Sequence, residues 1–400
     1  MLTGLDRLVE QPPRKDLVGR LRGSRLGVLA HPASVTRRLV HIVDALGALG
    51  IVPEVLFGPE HGWAGHAQDM VGVGDATEGS RGTRIVSLYG ASFSDLSPKS
   101  VDLAGLDLVV IDLQDVGARY YTFVWTAVLV ARACRDAGVR VLVLDRPNPL
   151  GGVVLEGKLQ QPGFLSFVGL EHLPIRHGLT IGEIVAWRAG IEGYADLVKV
   201  LAVEGLAREA HAPAWDRDVV MPSPNMPTYS TMLVYPGGCL LEGTNLSDGR
   251  GTTRPFEITG APWVDGKKLA EGLAGTGLPG FVARPLGFEP TFHKHARQSC
   301  VGVQIHVTDP ASFRPVATYV ALIALAHHQS PSDFRFRSET YEFVEHIPAF
   351  DLLTGSALAR ERILAGDDAR AIADSASVVS DEEQAVVAEA RALLDGPLII

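Results

Sequence analysis

The first half of the chain alternates short apolar runs with amphipathic stretches. RLGVLAH (25–31), PEVLFG (53–58), RIVSLYG (84–90), LDLVVIDLQD (106–115), VRVLVLDRPNP (139–149) and DLVKVLAVEG (196–205) read as strands. Between them, 37–49 and 122–137 carry helical spacing. Residues 179–190 open on Thr180 with Glu183 three positions on, the spacing of a capping box. Buried strands alternating with helices predict a parallel sheet in an α/β fold. The texture then changes over 222–262, where Gly, Pro, Ser, Thr and Asn dominate. Met226, Tyr229, Met232, Leu233 and Tyr235 are embedded there, which predicts an ordered, site-forming segment rather than a linker. Beyond it CVGVQIHVTD (300–309) alternates as an antiparallel strand does, and 312–328 and 381–395 have helical spacing. The second half therefore predicts a smaller α+β domain, and the division expected is 1–255 and 256–400.

Composition narrows the function. Of 400 residues, 46% are apolar and 20% charged, enough to bury a substantial core and unlike a disordered or collagenous chain. A formal charge of −10 argues against a nucleic-acid partner. Cys134, Cys239 and Cys300 lie far apart with no CxxC, so neither a disulfide framework nor a structural zinc is expected. No run of about 18 apolar residues predicts membrane insertion. The start, MLTGLDRLVEQPPRKDLVGRLRG, lacks the apolar core of a signal peptide, which reads as cytoplasmic. Gly72 and Gly74 begin a GxG, but Thr77 occupies the third glycine position, and P-loop, GxSxG and HExxH motifs are absent. No cofactor and no metal are expected. His293-Lys294-His295 reads as polar residues of one strand rather than a metal pair.

The candidate chemistry lies where the strands end. Ligands of open α/β sheets bind beyond the carboxyl ends of the strands. Here those ends carry Pro59-Glu60-His61, then Asp112, Gln114, Asp115, Arg119, Tyr120 and Tyr121, then Asp145-Arg146-Pro147-Asn148. Carboxylates beside His and Tyr suit acid–base work on a carbohydrate-like substrate, with Arg holding an anionic group. A helix-start carboxylate is the plain alternative for Glu60. A structural ion pair is equally expected for each of Arg119, Arg146, Arg250 and Arg254. Of Tyr120 and Tyr121, one is expected in the core and one at the site.

At these residues the sequence resembles a known family. FGPEHGWAGHAQ (57–68), VVIDLQDVGARYYTF (109–123), VLDRPNPLGG (143–152), 222–263 and FHKHARQSCVGVQIHVTD (292–309) are similar to the NamZ-type exo-β-N-acetylmuramidases, in order and over nearly the whole chain. The resemblance implies a glycoside hydrolase with a Rossmann-like first domain, a smaller second domain and an active site in the cleft between them. The substrate implied is a terminal N-acetylmuramic acid at the non-reducing end of peptidoglycan fragments. Glu60 falls in the PEHG motif as proton donor, beside His61, with Asp115 as a further catalytic candidate. Asp112, Gln114, Arg119, Tyr120, Tyr121, Arg146 and Asn148 fall in the strand-end motifs, and Asn225, Glu242, Asn245, Arg250 and Arg254 in the long segment, as substrate-binding candidates. Many relatives carry an export signal, so a removed leader would make the protein periplasmic or secreted. The segment after PEHG reads WAGHAQDMVGVGD where relatives more often show an acidic stretch. Whether the second catalytic group is a protein carboxylate or the substrate's own acetamido group stays open. So do two other readings: an exo-N-acetylglucosaminidase, and a non-catalytic amino-sugar or muropeptide-binding protein.

Overall fold

A computed structural model describes residues 1–10, 14–68, 70–78 and 82–392. The strands are β1 (Leu26–Ala30), β2 (Val55–Gly58), β3 (Ala76–Glu78), β4 (Thr83–Ser87), β5 (Leu108–Asp112), β6 (Arg140–Leu144), β7 (Val198–Leu201), β8 (Ile258–Ala261), β9 (Phe281–Phe288) and β10 (Cys300–Val307). β1 to β7 form one sheet in the order β3-β4-β2-β1-β5-β6-β7. All neighbours are parallel except β3, which closes one edge antiparallel to β4. Without β3 this is the doubly wound order in which the chain reverses direction between β1 and β5. β1 and β5 are buried throughout, which is why they carry no polar alternation.

The helices deviate instructively from the sequence pattern. The stretch expected over 37–49 is helical only over Ile42–Ala48, because His41 takes the cap position and its ring accepts from the Val43 N–H. Phe123–Ala137 and Ile181–Ile191 follow the expectation closely, the second with the Thr180–Glu183 capping box in place. Within 222–262 the chain forms a helix, Tyr229–Gly238, despite Pro236 near its end. Met232, Leu233, Val234 and Tyr235 are all buried there, so packing overrides the poor local propensity. The final helix is Asp381–Ala392; the last part of its expected range lies outside the described residues.

The second sheet is antiparallel, in the order β8-β10-β9, and packs against the helix Gly266–Gly275. The two sheets share a continuous hydrophobic core. Tyr229–Gly238 lies so close to the helix Pro315–Gln329 that a Cβ at Gly237 would come within 2.0 Å of the Pro315 carbonyl oxygen. His293-Lys294-His295 is not on a strand: it forms the turn between β9 and β10, with φ of +68° at His293 and +56° at His295.

Glu156 ties the halves together. Its Oε1 accepts the Ala317 N–H at 2.8 Å, in the first turn of Pro315–Gln329. Burial pushes its carboxyl up to about 7, against the opposing pull of Ala317 and Arg176. A raised acid keeps its proton in the folded state after the unfolded chain has lost it. Its contribution to stability is therefore full below the ordinary value of 4.5 and is lost as pH rises towards 7. Glu156→Gln keeps an accepting oxygen and should flatten this slope, leaving the variant up to about 3 kcal/mol better placed at pH 7.5 than the wild type, relative to pH 4.5. Urea unfolding of both proteins across that range measures it; parallel pH profiles would show that Glu156 is not buried as a proton carrier.

Candidate active site

The crevice between β1 and β5, where a doubly wound sheet usually takes its ligand, is filled by the protein itself. Arg146 pairs with both oxygens of Asp112, the last residue of β5, at 2.8 Å through Nη2 and through a shorter Nε contact, and reaches the Val35 carbonyl after β1. Ser34 Oγ donates to the Asp112 carbonyl, and His31 Nε2 accepts the Gln114 N–H at 3.0 Å. Burial, then the neighbouring Arg146, pushes the His31 imidazole down to about 3, so it stays neutral. Asp112 and Arg146, expected to bind substrate, are thus a buried structural pair.

Other expected residues are also absorbed into the scaffold. Arg119 is fully buried and donates to the carbonyls of Lys158 and Leu173 at 2.6 Å each and of Leu353 at 2.7 Å. Asn148 bridges the Leu179 carbonyl and the Leu150 N–H. A Cβ at Gly117, where φ is +82°, would strike its Oδ1 at 2.4 Å. Gln114 donates to the carbonyls of Asp115 and Pro147. Asp115, expected to be catalytic, accepts the Gly117 N–H at 2.8 Å and faces His177 Nε2 at 3.3 Å; it shapes its loop rather than the cavity wall. Asn245 clips the Asp333 carbonyl and the Arg335 N–H, away from the cavity, and Arg254 is 47% exposed beside Glu257. The buried ones share a physical reason: polar side chains there meet loop carbonyls and amides that must be satisfied once buried.

What remains converges on one cavity, about 480 Å³ of empty space counting its opening to solvent, between the β2 end of the first sheet and the segment 223–256. Glu60 lies in a turn after β2, not at a helix start. Its Oε2 accepts the Thr122 hydroxyl at 2.6 Å and its Oε1 the Met70 N–H at 3.4 Å. His61, at φ +69°, places Nδ1 2.9 Å from the Ala67 carbonyl, to which it donates. Both Tyr120 and Tyr121 line the cavity, because they sit in a turn before Phe123–Ala137 rather than on a strand. Their rings meet Tyr235 edge-on at 5.7 and 5.9 Å, and Tyr235 meets Phe256 at 4.9 Å. Burial raises the Tyr120, Tyr121 and Tyr235 hydroxyls well above the ordinary range, so they remain hydrogen-bond donors. Asn225 also lines the wall and donates to Gln68 Oε1 at 2.9 Å.

On the opposite wall, Glu242 accepts from Arg250 and from the Tyr341 hydroxyl, both at 2.7 Å. Arg250 also reaches Asp248 at 2.9 Å, and Lys294 stands 3.5 Å from Asp248. Burial would raise both carboxylates, yet Arg250 and its companions outweigh it and hold Glu242 low and Asp248 well below the usual range. Sequence reasoning missed Thr122, Ser223, Met226, Tyr235, Tyr341 and Glu342 as wall residues. Glu342 is 5% exposed and receives the Tyr89 hydroxyl at 3.2 Å on each oxygen. Its only local signal is the aromatic-acidic run TYEFVEH. Among the described residues, no three His, Cys, Asp or Glu side chains converge as a metal site would need.

A doubly wound sheet with a carboxylate-bearing, tyrosine-walled cavity, completed by a second α/β layer, defines an α/β protein built for a small polar ligand. Its sequence matches the N-terminal region of the family described as exo-beta-N-acetylmuramidase NamZ over residues 26–230, and the C-terminal region over 233–387. The chain belongs to that family. It is 38% identical over 375 residues to the peptidoglycan beta-N-acetylmuramidase NamZ of Bacillus subtilis (strain 168), covering 93% of this chain and 86% of the relative. A DUF1343 family protein of Bacteroides fragilis NCTC 9343 superposes with a TM-score of 0.83 at 28% identity, covering 98% of this chain and 97% of the other. A second such protein from that organism shares the fold, with a TM-score of 0.73 at 24% identity over 98% of both chains.

The Arg250 cluster carries a stability test. Removing one partner of a buried ion network leaves the others uncompensated, at about 3–5 kcal/mol. Arg250→Met should lower the unfolding free energy by roughly that amount, read by urea denaturation at neutral pH. A loss below about 1 kcal/mol would mean that solvent, not Arg250, neutralises Glu242 and Asp248.

Proposed function

We propose that this chain is an exo-β-N-acetylmuramidase that removes the non-reducing terminal β-N-acetylmuramic acid from peptidoglycan fragments, with Glu60 as general acid. The observation that carries the assignment of Glu60 is its position: a carboxyl in the cavity, oriented by Thr122 Oγ1 and the Met70 N–H. The glycosidic oxygen takes its proton from Glu60 as the bond to the anomeric carbon breaks. Glu342 and Glu242 face the same space, and their negative charge suits the positive charge that develops on the sugar ring. The tyrosine wall supplies flat apolar surface for the ring, the Tyr120 hydroxyl being committed to the Pro236 carbonyl. Arg250 is the guanidinium among the described cavity-lining residues, and to it we assign the lactyl carboxylate that marks muramic acid.

Two outcomes follow for enzymology. Glu60→Gln should lower kcat by about 10²–10⁴ on an unactivated disaccharide with little change in KM, and a substrate with a very good leaving group should partly restore it. A variant keeping more than a tenth of wild-type turnover removes Glu60 from that role.

The second comparison uses glycosides with and without the lactyl ether. Wild type should cleave the muramic-acid glycoside in preference to the glucosaminide. Arg250→Lys, which keeps the charge that Glu242 and Asp248 require but loses the planar fork, should narrow that preference about tenfold. Equal turnover of both glycosides by the wild type would favour a glucosaminidase, and turnover of neither a binding protein.

A further inference from the structure

A second, open groove of about 880 Å³ lies beside the cavity, between the β9–β10 turn and the segment 335–339. Arg335 and Arg337 line it with His293, Lys294 and His295; Asp248 lies 3.5 Å from both His293 and Lys294, and Arg337 stands 3.8 Å from Glu339, whose side chain is 75% exposed. The two guanidiniums stand on a chain of formal charge −10. The β9–β10 turn is held in an unfavourable backbone form, with φ of +68° at His293, +56° at His295 and +61° at Arg297. Such conformations persist where surrounding structure over-determines them, and they gather at ligand sites. Here the surroundings are specific. His295 Nε2 donates to the Asn245 carbonyl at 2.7 Å and Lys294 Nζ to the Leu241 carbonyl at 2.7 Å. Asn245 Oδ1 accepts the Arg335 N–H at 2.9 Å, so Asn245 staples the two banks of the groove together.

The groove joins the cavity through Arg337. Its guanidinium lies 5.4 Å from the centre of the Tyr341 ring, whose hydroxyl binds Glu242. Its Nη2 is 3.9 Å from the sulfur of Met70, whose N–H reaches Glu60. Arg337 thus touches the cavity wall at Tyr341 while lining the groove, where Arg335 also stands.

We propose that this groove binds a carboxylate on the leaving-group side of the glycan, an inference that rests on the exo-muramidase reading above. An enzyme that takes only the terminal muramic acid leaves the rest of the chain outside its cavity. In an alternating glycan the next sugar, N-acetylglucosamine, is neutral, and the one after it is again a muramic acid. That inner residue carries either a bare lactyl carboxylate or the carboxylates of a stem peptide. Arg335 and Arg337 present planar forks suited to such groups.

The test compares kcat/KM for three substrates: the muramic acid–glucosamine disaccharide, the tetrasaccharide with bare lactyl groups, and the tetrasaccharide with a peptide on its inner muramic acid. The proteins are the wild type, Arg335→Gln, Arg335→Lys and the Arg335→Gln/Arg337→Gln double variant. Wild type should favour at least one tetrasaccharide over the disaccharide by about tenfold, and which one identifies the source of the carboxylate. Arg335→Gln should reduce that advantage several-fold with disaccharide turnover within about twofold, and the double variant should abolish the advantage. Arg335→Lys should retain most of it. Equal kcat/KM for all three substrates in the wild type, or an equal loss on the disaccharide in the variants, overturns the proposal. If the wild type cleaves none of them, the muramidase reading fails instead. Calorimetric titration of the tetrasaccharides into wild type and Arg335→Gln then reads the groove without turnover, and unchanged affinity overturns it.

Discussion

The buried pair between Asp112 and Arg146 stands where the first sheet would otherwise open to a ligand, and the placement of the tyrosine-walled cavity depends on it. The guanidinium spans from the end of β6 over the end of β5 to the loop after β1. Burying both charges is costly, and the pair survives because two parallel hydrogen bonds and the Val35 carbonyl satisfy the fork. With the β1/β5 crevice sealed, binding space has to be built elsewhere. It lies towards β2, where Glu60 emerges, and needs the segment 223–256 and the residues 341–342 as its other wall. The second half of the chain is thus part of the site itself rather than an appendage to a complete nucleotide-type fold.

That second wall is organised by charge balance. Arg250 and the partly exposed Lys294 stand among Glu242 and Asp248, so four ionic groups approach neutrality within a few ångströms. Tyr341 ties this cluster to the cavity through Glu242, and the same ring faces Arg337 of the outer groove. Glu60 is held differently, by a hydroxyl and a backbone amide rather than a cation. Arginine confines Glu242 to its charged form. The two walls therefore differ in how their carboxyl groups are held, by neutral donors at Glu60 and by a cation at Glu242.

Strand ends were easy to find and hard to interpret. Glu60, His61, Tyr120, Tyr121, Asn225, Glu242 and Arg250 meet in the cavity, whereas Asp112, Gln114, Asp115, Arg119, Arg146, Asn148, Asn245 and Arg254 are spent elsewhere. Both sets share residue types and motifs. What separates them is whether a loop carbonyl or opposing charge lies within reach, which depends on chain segments far away in sequence. Arg119 illustrates this, since its three carbonyl partners come from residues 158, 173 and 353.

The sequence by itself determined the alternating strands and helices of the first sheet, the capping box at Thr180, and the motifs that mark Glu60, because these rest on local periodicity and short-range hydrogen bonds. Tertiary structure decided that a glycine- and proline-rich stretch would be helical over Tyr229–Gly238 and that Glu342 would be buried against Tyr89. It also decided that the His293–His295 turn would face outward beside two arginines. Those outcomes follow from which surfaces exclude water once the two sheets pack, and burial of that kind has no signature within a few residues of chain.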